Sequence, residues 1–511
     1  MITMKMWGED FEQDVRPLIK SFYPGAEFQV NREEWQGKEI QSSEEFKAYL
    51  TQNPGLAEVR TEEAVRPCDY AFLLCKTEGY LAVRDGEELY VAEFHDVPPE
   101  AERREYKNSL LRKLYVILQK MTGISLPWGI MTGIRPTKQV LERLEEGEAP
   151  ETIRRFLKEE YYCSDPKIST SLTVAGREHA ILEEMECRNG YSVYIGIPFC
   201  PSTCYYCSFP SFPVGVYGKW MEDYLAALHK EIRYAGRAIT DKELQTIYIG
   251  GGTPTTLSAD QLDRLLSAVE ENFNLSSLKE ITVEAGRPDS ITADKLKVIR
   301  AHGVDRISIN PQTMKQATLD LIGRKHTVEQ IEKTFYLARE LGFENINMDL
   351  ILGLAKETPR DVAETLERIG RLSPDNLTVH TLAVKRAARL NTKKEEYEGM
   401  AAQDVQEMLR ISCEFAAAHD YHPYYLYRQK NMAENLENVG YSRIGKEGLY
   451  NILIMEERQT ILALGAGATS KFVFREKNQL ERVENVKNLK DYIERIDEMI
   501  ERKQHFLESI G

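Results

Sequence analysis

The chain of 511 residues is 42% apolar and 29% charged, which gives an ordinary globular protein an ample core and room for about three average domains. Its net charge of −15 argues against a broad nucleic-acid footprint, which needs a basic surface, but leaves room for an anionic small ligand in a locally cationic cleft. No apolar run approaches the ~18 residues of a membrane span, and the first ten residues lack signal-peptide architecture, so a cytoplasmic protein with no membrane span and no nucleic-acid partner is expected.

Residues 1–170 read as an α+β domain of unknown role. Tyr70–Cys75, Tyr80–Arg84 and Glu88–Phe94 are strand-like, with Asp85-Gly86 as a hairpin signal, and Arg103–Met121 suits an amphipathic helix. The Gly- and Pro-rich stretch Trp128–Thr137 reads as an ordered loop, and residues 151–187 as a helical linker. From Ser192 the pattern alternates strand and helix. Val193–Ile197, Thr246–Ile249, Glu280–Glu284, Arg306–Ile309, Asn345–Leu352 and Leu377–Ala383 are the strands. Ser258-Ala-Asp-Gln261 and Thr327-Val-Glu-Gln330 read as capping boxes, and Thr358-Pro359 as an N-cap followed by proline. Near-continuous apolar strands separated by helices predict a parallel sheet, and six units over this length suit an incomplete (β/α)6 barrel of TIM type spanning 171–390. Residues 391–511 are expected to form a small C-terminal α/β region.

Cys200, Cys204 and Cys207 stand at C-x3-C-x2-C spacing directly after the first of these strands. Three thiolates on one loop can each take a different iron of a cubane cluster and leave the fourth iron open to a reactant. A structural zinc site is the alternative, but zinc usually takes four protein ligands, and no fourth His or Cys lies nearby. Cys68, Cys75, Cys163, Cys187 and Cys413 have no framework spacing and read as buried thiols. The other polar residues of interest collect at predicted strand ends: Gly250-Gly-Gly-Thr-Pro254 after strand two, Glu284 ending strand three, Gln312 after strand four, Asp349 in strand five and His380 in strand six. Carboxyl ends of strands are where parallel α/β sheets place their chemistry.

Tyr194-Ile-Gly-Ile-Pro-Phe-Cys-Pro-Ser-Thr-Cys-Tyr-Tyr-Cys207 together with Gly250–Thr255 resembles the radical S-adenosylmethionine (SAM) family, and within it the oxygen-independent coproporphyrinogen III dehydrogenase (oxidase) group, in a branch with a long N-terminal extension. The resemblance is strong over about 192–390 and continues weakly to Gly465-Ala-Gly-Ala-Thr-Ser470. It implies a 4Fe-4S cluster on the three cysteines and one or two SAM molecules held by Tyr194, Gly251, Gly252, Thr253, Glu284, Gln312, Arg324, Asp349 and Ala383. It also implies reductive SAM cleavage, an electron donor such as flavodoxin or ferredoxin, and oxidative decarboxylation of two propionates of coproporphyrinogen III to vinyl groups. No further catalytic residue is expected, because the cluster and SAM supply the reactivity. A tetrapyrrole carboxylate needs cations, for which Lys385, Arg386, Arg389 and Arg428 are candidates. One departure bears on the substrate: well-known members continue the loop with Cys-Gly-Cys, whereas here Ser208 and Phe209 follow Cys207. Relatives with such an ending include proteins that carry haem and others that methylate or open a macrocycle, so a haem chaperone, with His422 as a candidate ligand, and a haem-modifying enzyme are the alternatives.

Overall fold

The computed structural model describes all residues except 55–57, 61–64, 68, 75–78, 95–102, 208, 210, 383–401, 429–435, 475–478 and 511. It divides the chain into two compact units, one of residues 1–136, 146–172 and 428–436, the other of 137–145, 173–427 and 437–511.

In the first unit β1 (Ile2–Gly8), β2 (Phe28–Glu33), β5 (Tyr70–Leu74), β6 (Gly79–Asp85) and β7 (Glu88–Phe94) form one sheet in the order β2-β1-β5-β6-β7. The short β3 (Glu58–Arg60) and β4 (Val65–Pro67) pair separately. The three strands expected near residues 70–94 are present, joined at Asp85 by the tight turn through Gly86. β1 and β2 were not among the expected elements. Their parallel pairing joins two stretches separated by the helix Glu12–Phe22, a crossover that no short-range turn signal announces.

The second unit is built on an eleven-stranded sheet. Its strands are β8 (Gly190–Ile197), β11 (Glu243–Gly251), β12 (Glu280–Gly286), β13 (Arg306–Ile309), β14 (Asn345–Leu352), β15 (Asn376–Thr381), β16 (His422–Tyr427), β17 (Asn438–Ser442), β18 (Thr460–Leu464), β19 (Thr469–Phe474) and β20 (Gln479–Glu484). A separate two-stranded pair, β9 (Phe199–Cys200) with β10 (Phe212–Pro213), brackets the cysteine loop. Six strands, β8 and β11 to β15, lie side by side in chain order and all parallel. Helices Met221–Ala238, Ala259–Asn272, Ala293–Ala301, Val328–Glu340 and Pro359–Leu372 return the chain between them. Both expected capping boxes form, and Thr358 caps the last helix with Pro359 at its first position. This is the six-unit α/β core expected from the strand–helix alternation.

The C-terminal stretch extends the same sheet at both edges. β17 and β16 add antiparallel strands beyond β15, while β18 pairs parallel with β8 and is followed by β19 and β20. The strand leading into the cysteine loop is therefore interior, flanked by β11 and β18.

A fully buried ion pair secures this edge. Lys503 Nζ donates to Glu231 Oε1 at 2.8 Å, and both side chains are 0% exposed. Asn485, Tyr492 and the Gly465 backbone N–H supply the remaining donors to the Glu231 carboxylate. Removing one partner of such a pair strands a buried charge, so Lys503→Met is expected to destabilise the fold by ~3–5 kcal/mol, read from urea unfolding.

Candidate functional site

Burial on both faces makes β8 a rigid stem for the cysteine loop, and backbone hydrogen bonds tie that stem to the glycine turn. Gly252 N donates to Ile197 O at 2.8 Å, Thr253 N to Phe199 O at 2.7 Å and Phe212 N to Pro198 O at 2.8 Å. Gly251 has φ of +106°, where an L side chain is strained. A Cβ on Gly252 would lie 2.5 Å from the Phe199 carbonyl oxygen and 2.9 Å from that of Ile197. Gly252→Ala should therefore push the cysteine stem off its register and lower iron loading several-fold at unchanged expression, as measured by iron per protein.

The loop itself is pinned from below. Tyr205 N donates to Ile322 O at 3.1 Å, and Cys207 N to Cys204 O at 3.2 Å. Thr253 Oγ1 stands 3.6 Å from the Cys200 sulfur and Arg287 Nη1 3.8 Å from that of Cys204. Burial pushes the Cys200 thiol up to about 11; the Thr253 hydroxyl offsets this in part, while the neighbouring Cys207 and Cys204 add to the rise. Of the other cysteines, Cys163 and Cys187 are buried and Cys413 is half-buried, while Cys68 and Cys75 lie outside the described residues.

Glu284 ends β12 beside the glycine turn. It accepts from the Tyr248 hydroxyl and, at 3.3 Å, from Gly251 N. Burial pushes its carboxyl up to about 7 against the pull of Tyr248, and Asp349 adds to the rise. Tyr248 also clusters with Tyr194 and Tyr450, the three ring centroids 6.2, 4.5 and 6.3 Å apart. Gln312 has φ of +68°, and its backbone bridges β14 through Asp349 O and Ile351 N. Its Oε1 is buried without a hydrogen-bond partner among the described residues. Asp349 accepts from Asn347 at 2.7 Å and faces His380 at 3.8 Å, and Tyr427 meets His380 on its other side at 3.3 Å. Burial opposes ionisation of Asp349, but His380 and the Asn347 and Thr378 donors outweigh it and hold the carboxyl below its usual range. Arg324 is buried, donating to Tyr206 OH at 3.0 Å and to Asn310 O.

The structure thus gathers Tyr194, the three cysteines, Gly251–Thr253, Glu284, Gln312, Arg324 and Asp349 at the carboxyl ends of the parallel strands. Ala383, Lys385, Arg386 and Arg389 lie outside the described residues. Arg428 belongs with the first unit, where it is 3% exposed and donates to Met131 O at 2.5 Å over the Trp128 ring. His422 pairs in register with Ser442, and Ser442 with Asn376 at the start of β15, so it stands at the opposite end of the sheet from the cysteine loop. Sequence reading overlooked the parts played by Tyr248, Tyr450 and Arg287. Tyr248 shares a strand with the glycine turn and carried a usable signal, but the other two become neighbours of the site only through tertiary contacts.

Comparison with known proteins gives the family. Residues 194–369 match the family model of the Radical SAM superfamily. Over 411 residues, 80% of this chain and 82% of the relative, the chain is 41% identical to the oxygen-independent coproporphyrinogen-III oxidase-like protein HemZ of Bacillus subtilis (strain 168). The chain belongs to the radical SAM superfamily, in its coproporphyrinogen III oxidase-like group. Another relative in this group, the heme chaperone HemW of the same strain, is 32% identical over 54% of this chain and 70% of its own length. The solved structure of coproporphyrinogen III oxidase (HemN) from Escherichia coli shares the fold with a TM-score of 0.51 at 26% identity, over 63% of this chain and 73% of that one.

Radical SAM proteins work with a 4Fe-4S cluster and SAM, and the donor set here suits both. Among the described residues no three His, Cys, Asp or Glu side chains converge closely enough to share one ion. A cubane does not require that, because each thiolate takes its own iron. The buried guanidiniums of Arg287 and Arg324 suit an anionic cluster, and the tight glycine turn, the carboxylates and the unpartnered Gln312 oxygen suit a ligand that carries an ammonium, a carboxylate and hydroxyls.

Proposed function

We propose that this chain is a SAM-dependent, oxygen-independent coproporphyrinogen III dehydrogenase of the cytoplasm, which converts two propionate side chains of a porphyrinogen to vinyl groups in haem biosynthesis. The observation that carries the reading is the convergence of the cysteine loop, the glycine turn and Glu284 on one end of a six-stranded parallel core, in a chain that matches an oxidase-like relative over four-fifths of its length. The cluster and SAM together supply an agent that abstracts a hydrogen atom. The chain's own residues bind and orient. Cys200, Cys204 and Cys207 hold the cluster, Gly251, Gly252 and Thr253 offer backbone and hydroxyl donors to SAM, and Tyr194 walls the site. Glu284 pairs with a SAM ammonium or ribose hydroxyl, and Gln312, Arg324, Asp349 and Ala383 complete the SAM contacts. Lys385, Arg386 and Arg389 are the proposed propionate partners. Arg428 is not included, because its guanidinium is directed at Met131 and Trp128.

Anaerobic incubation of reconstituted protein with SAM, a flavodoxin or ferredoxin reductant, an electron acceptor and coproporphyrinogen III tests the reading by product mass. Loss of two carbon dioxide units and four hydrogens is expected, and an unchanged macrocycle would rule it out. A second reading, a haem chaperone, is favoured by the similarity to HemW and by the Ser208-Phe209 ending of the cysteine loop. It predicts tight haem binding with no vinyl product.

A further inference from the structure

Arg287 has no role in the reading above, yet it is one of the most constrained cations beside the cysteine loop. It follows β12, three positions after Glu284, and is 3% exposed. Its Nε and Nη2 form a fork with the two oxygens of Asp289 at 3.0 Å and 2.6 Å. Nη1 donates to the backbone oxygen of Ser202 at 3.0 Å and to its hydroxyl at 2.9 Å. That same nitrogen lies 3.8 Å from the sulfur of Cys204, within donor range of a sulfur acceptor. Burial would raise the Asp289 carboxyl, but His326 at 3.6 Å and Arg287 itself more than reverse this and hold it well below the usual range. Asp289 therefore stays charged, and the guanidinium is braced on two sides, with the Nη1 hydrogens shared among Ser202 O, Ser202 Oγ and the Cys204 sulfur.

We propose that Arg287 is a positioning residue that sets the reduction potential of the cluster through the Cys204 sulfur. The proposal rests on the reading of Cys200, Cys204 and Cys207 as cluster ligands. Reduction brings one electron from an external donor of the flavodoxin or ferredoxin class and makes or breaks no bond. It increases negative charge on the cluster and its thiolates. A fixed N–H donor and a positive charge at one sulfur stabilise the reduced form more than the oxidised form, since hydrogen bonds to sulfur and net charge both tune such clusters. Cys204 is the most buried of the three thiols, at 7% exposure, so solvent screens this contact least.

The test uses reconstituted full-length wild type, Arg287→Met and Arg287→Lys, each assayed for iron content and by a redox titration followed by electron paramagnetic resonance. Arg287→Met should load iron normally and show an approximately tenfold lower ratio of reduced to oxidised cluster at a fixed potential, ~59 mV for a one-electron couple. Arg287→Lys keeps the charge but loses the fork and should fall between the two. A midpoint potential in Arg287→Met within twofold of wild type, on that ratio, overturns the proposal. If Arg287→Met loads no iron, Arg287→Lys decides: an unshifted potential, or no iron there either, assigns the residue to assembly instead and overturns it. Wild-type protein that binds no iron removes the cluster reading and this proposal with it, a result distinct from either variant's failure.

Discussion

Replacing Cys200, Cys204 and Cys207 together by alanine is expected to bring iron down to the background of unreconstituted protein and to abolish formation of 5′-deoxyadenosine. The loop has no other thiol to substitute, because Ser208 and Phe209 follow Cys207. The fold should survive. The backbone hydrogen bonds that hold the loop run through Ile197, Phe199 and Tyr205 and need none of the three sulfurs, apart from the contacts to Thr253 and Arg287. Iron analysis, ultraviolet–visible absorption and circular dichroism on the same preparation check both halves. A triple variant that keeps a full cluster would overturn the assignment of the site.

The second large effect belongs to Glu284. A carboxylate that pairs with the SAM ammonium must be ionised. Burial raises the Glu284 carboxyl to about 7, so the free protein carries mostly the neutral acid below that pH and mostly the carboxylate above it. SAM affinity should consequently weaken by roughly tenfold between pH 8 and pH 6, the change in ionised fraction for such a group. Glu284→Gln keeps the shape and removes the charge. It should cost about 1.5–3 kcal/mol, or ~10- to 150-fold in Kd, and flatten the pH dependence across this window. Equilibrium binding to the reconstituted protein at several pH values measures both. An unchanged slope in the glutamine variant would remove Glu284 from the SAM site.

Much of the second unit could be read ahead of the structure because its signals are local. Six apolar strands, the capping residues Ser258, Thr327 and Thr358, and the cysteine spacing each sit within a few residues of what they determine. The glycine turn was legible for the same reason, since Gly251 and Gly252 follow their strand at once. What stayed hidden depends on partners far away along the chain. Arg287-Pro-Asp289 reads as an ordinary turn until Ser202 and Cys204 come to meet it. The left-handed backbone of Gln312 arises from its bridge to β14, and no residue type in that stretch announces it. Lys503 reads as one of many exposed lysines, yet it is the counter-ion of Glu231. The pairing of β18 with β8 joins two short apolar runs whose mutual choice no periodicity encodes.

That last pairing has a consequence for how the protein is made. Synthesis delivers the cysteine loop well before Thr460–Leu464, the strand that flanks its stem, and Lys503 later still. Until those residues leave the ribosome, β8 has β11 on one side and an open edge on the other, and such edges recruit foreign strands. The nascent chain therefore presents its cysteine loop on an unfinished scaffold. A chain cut before Thr460 would retain every cysteine and still lack one wall of the site.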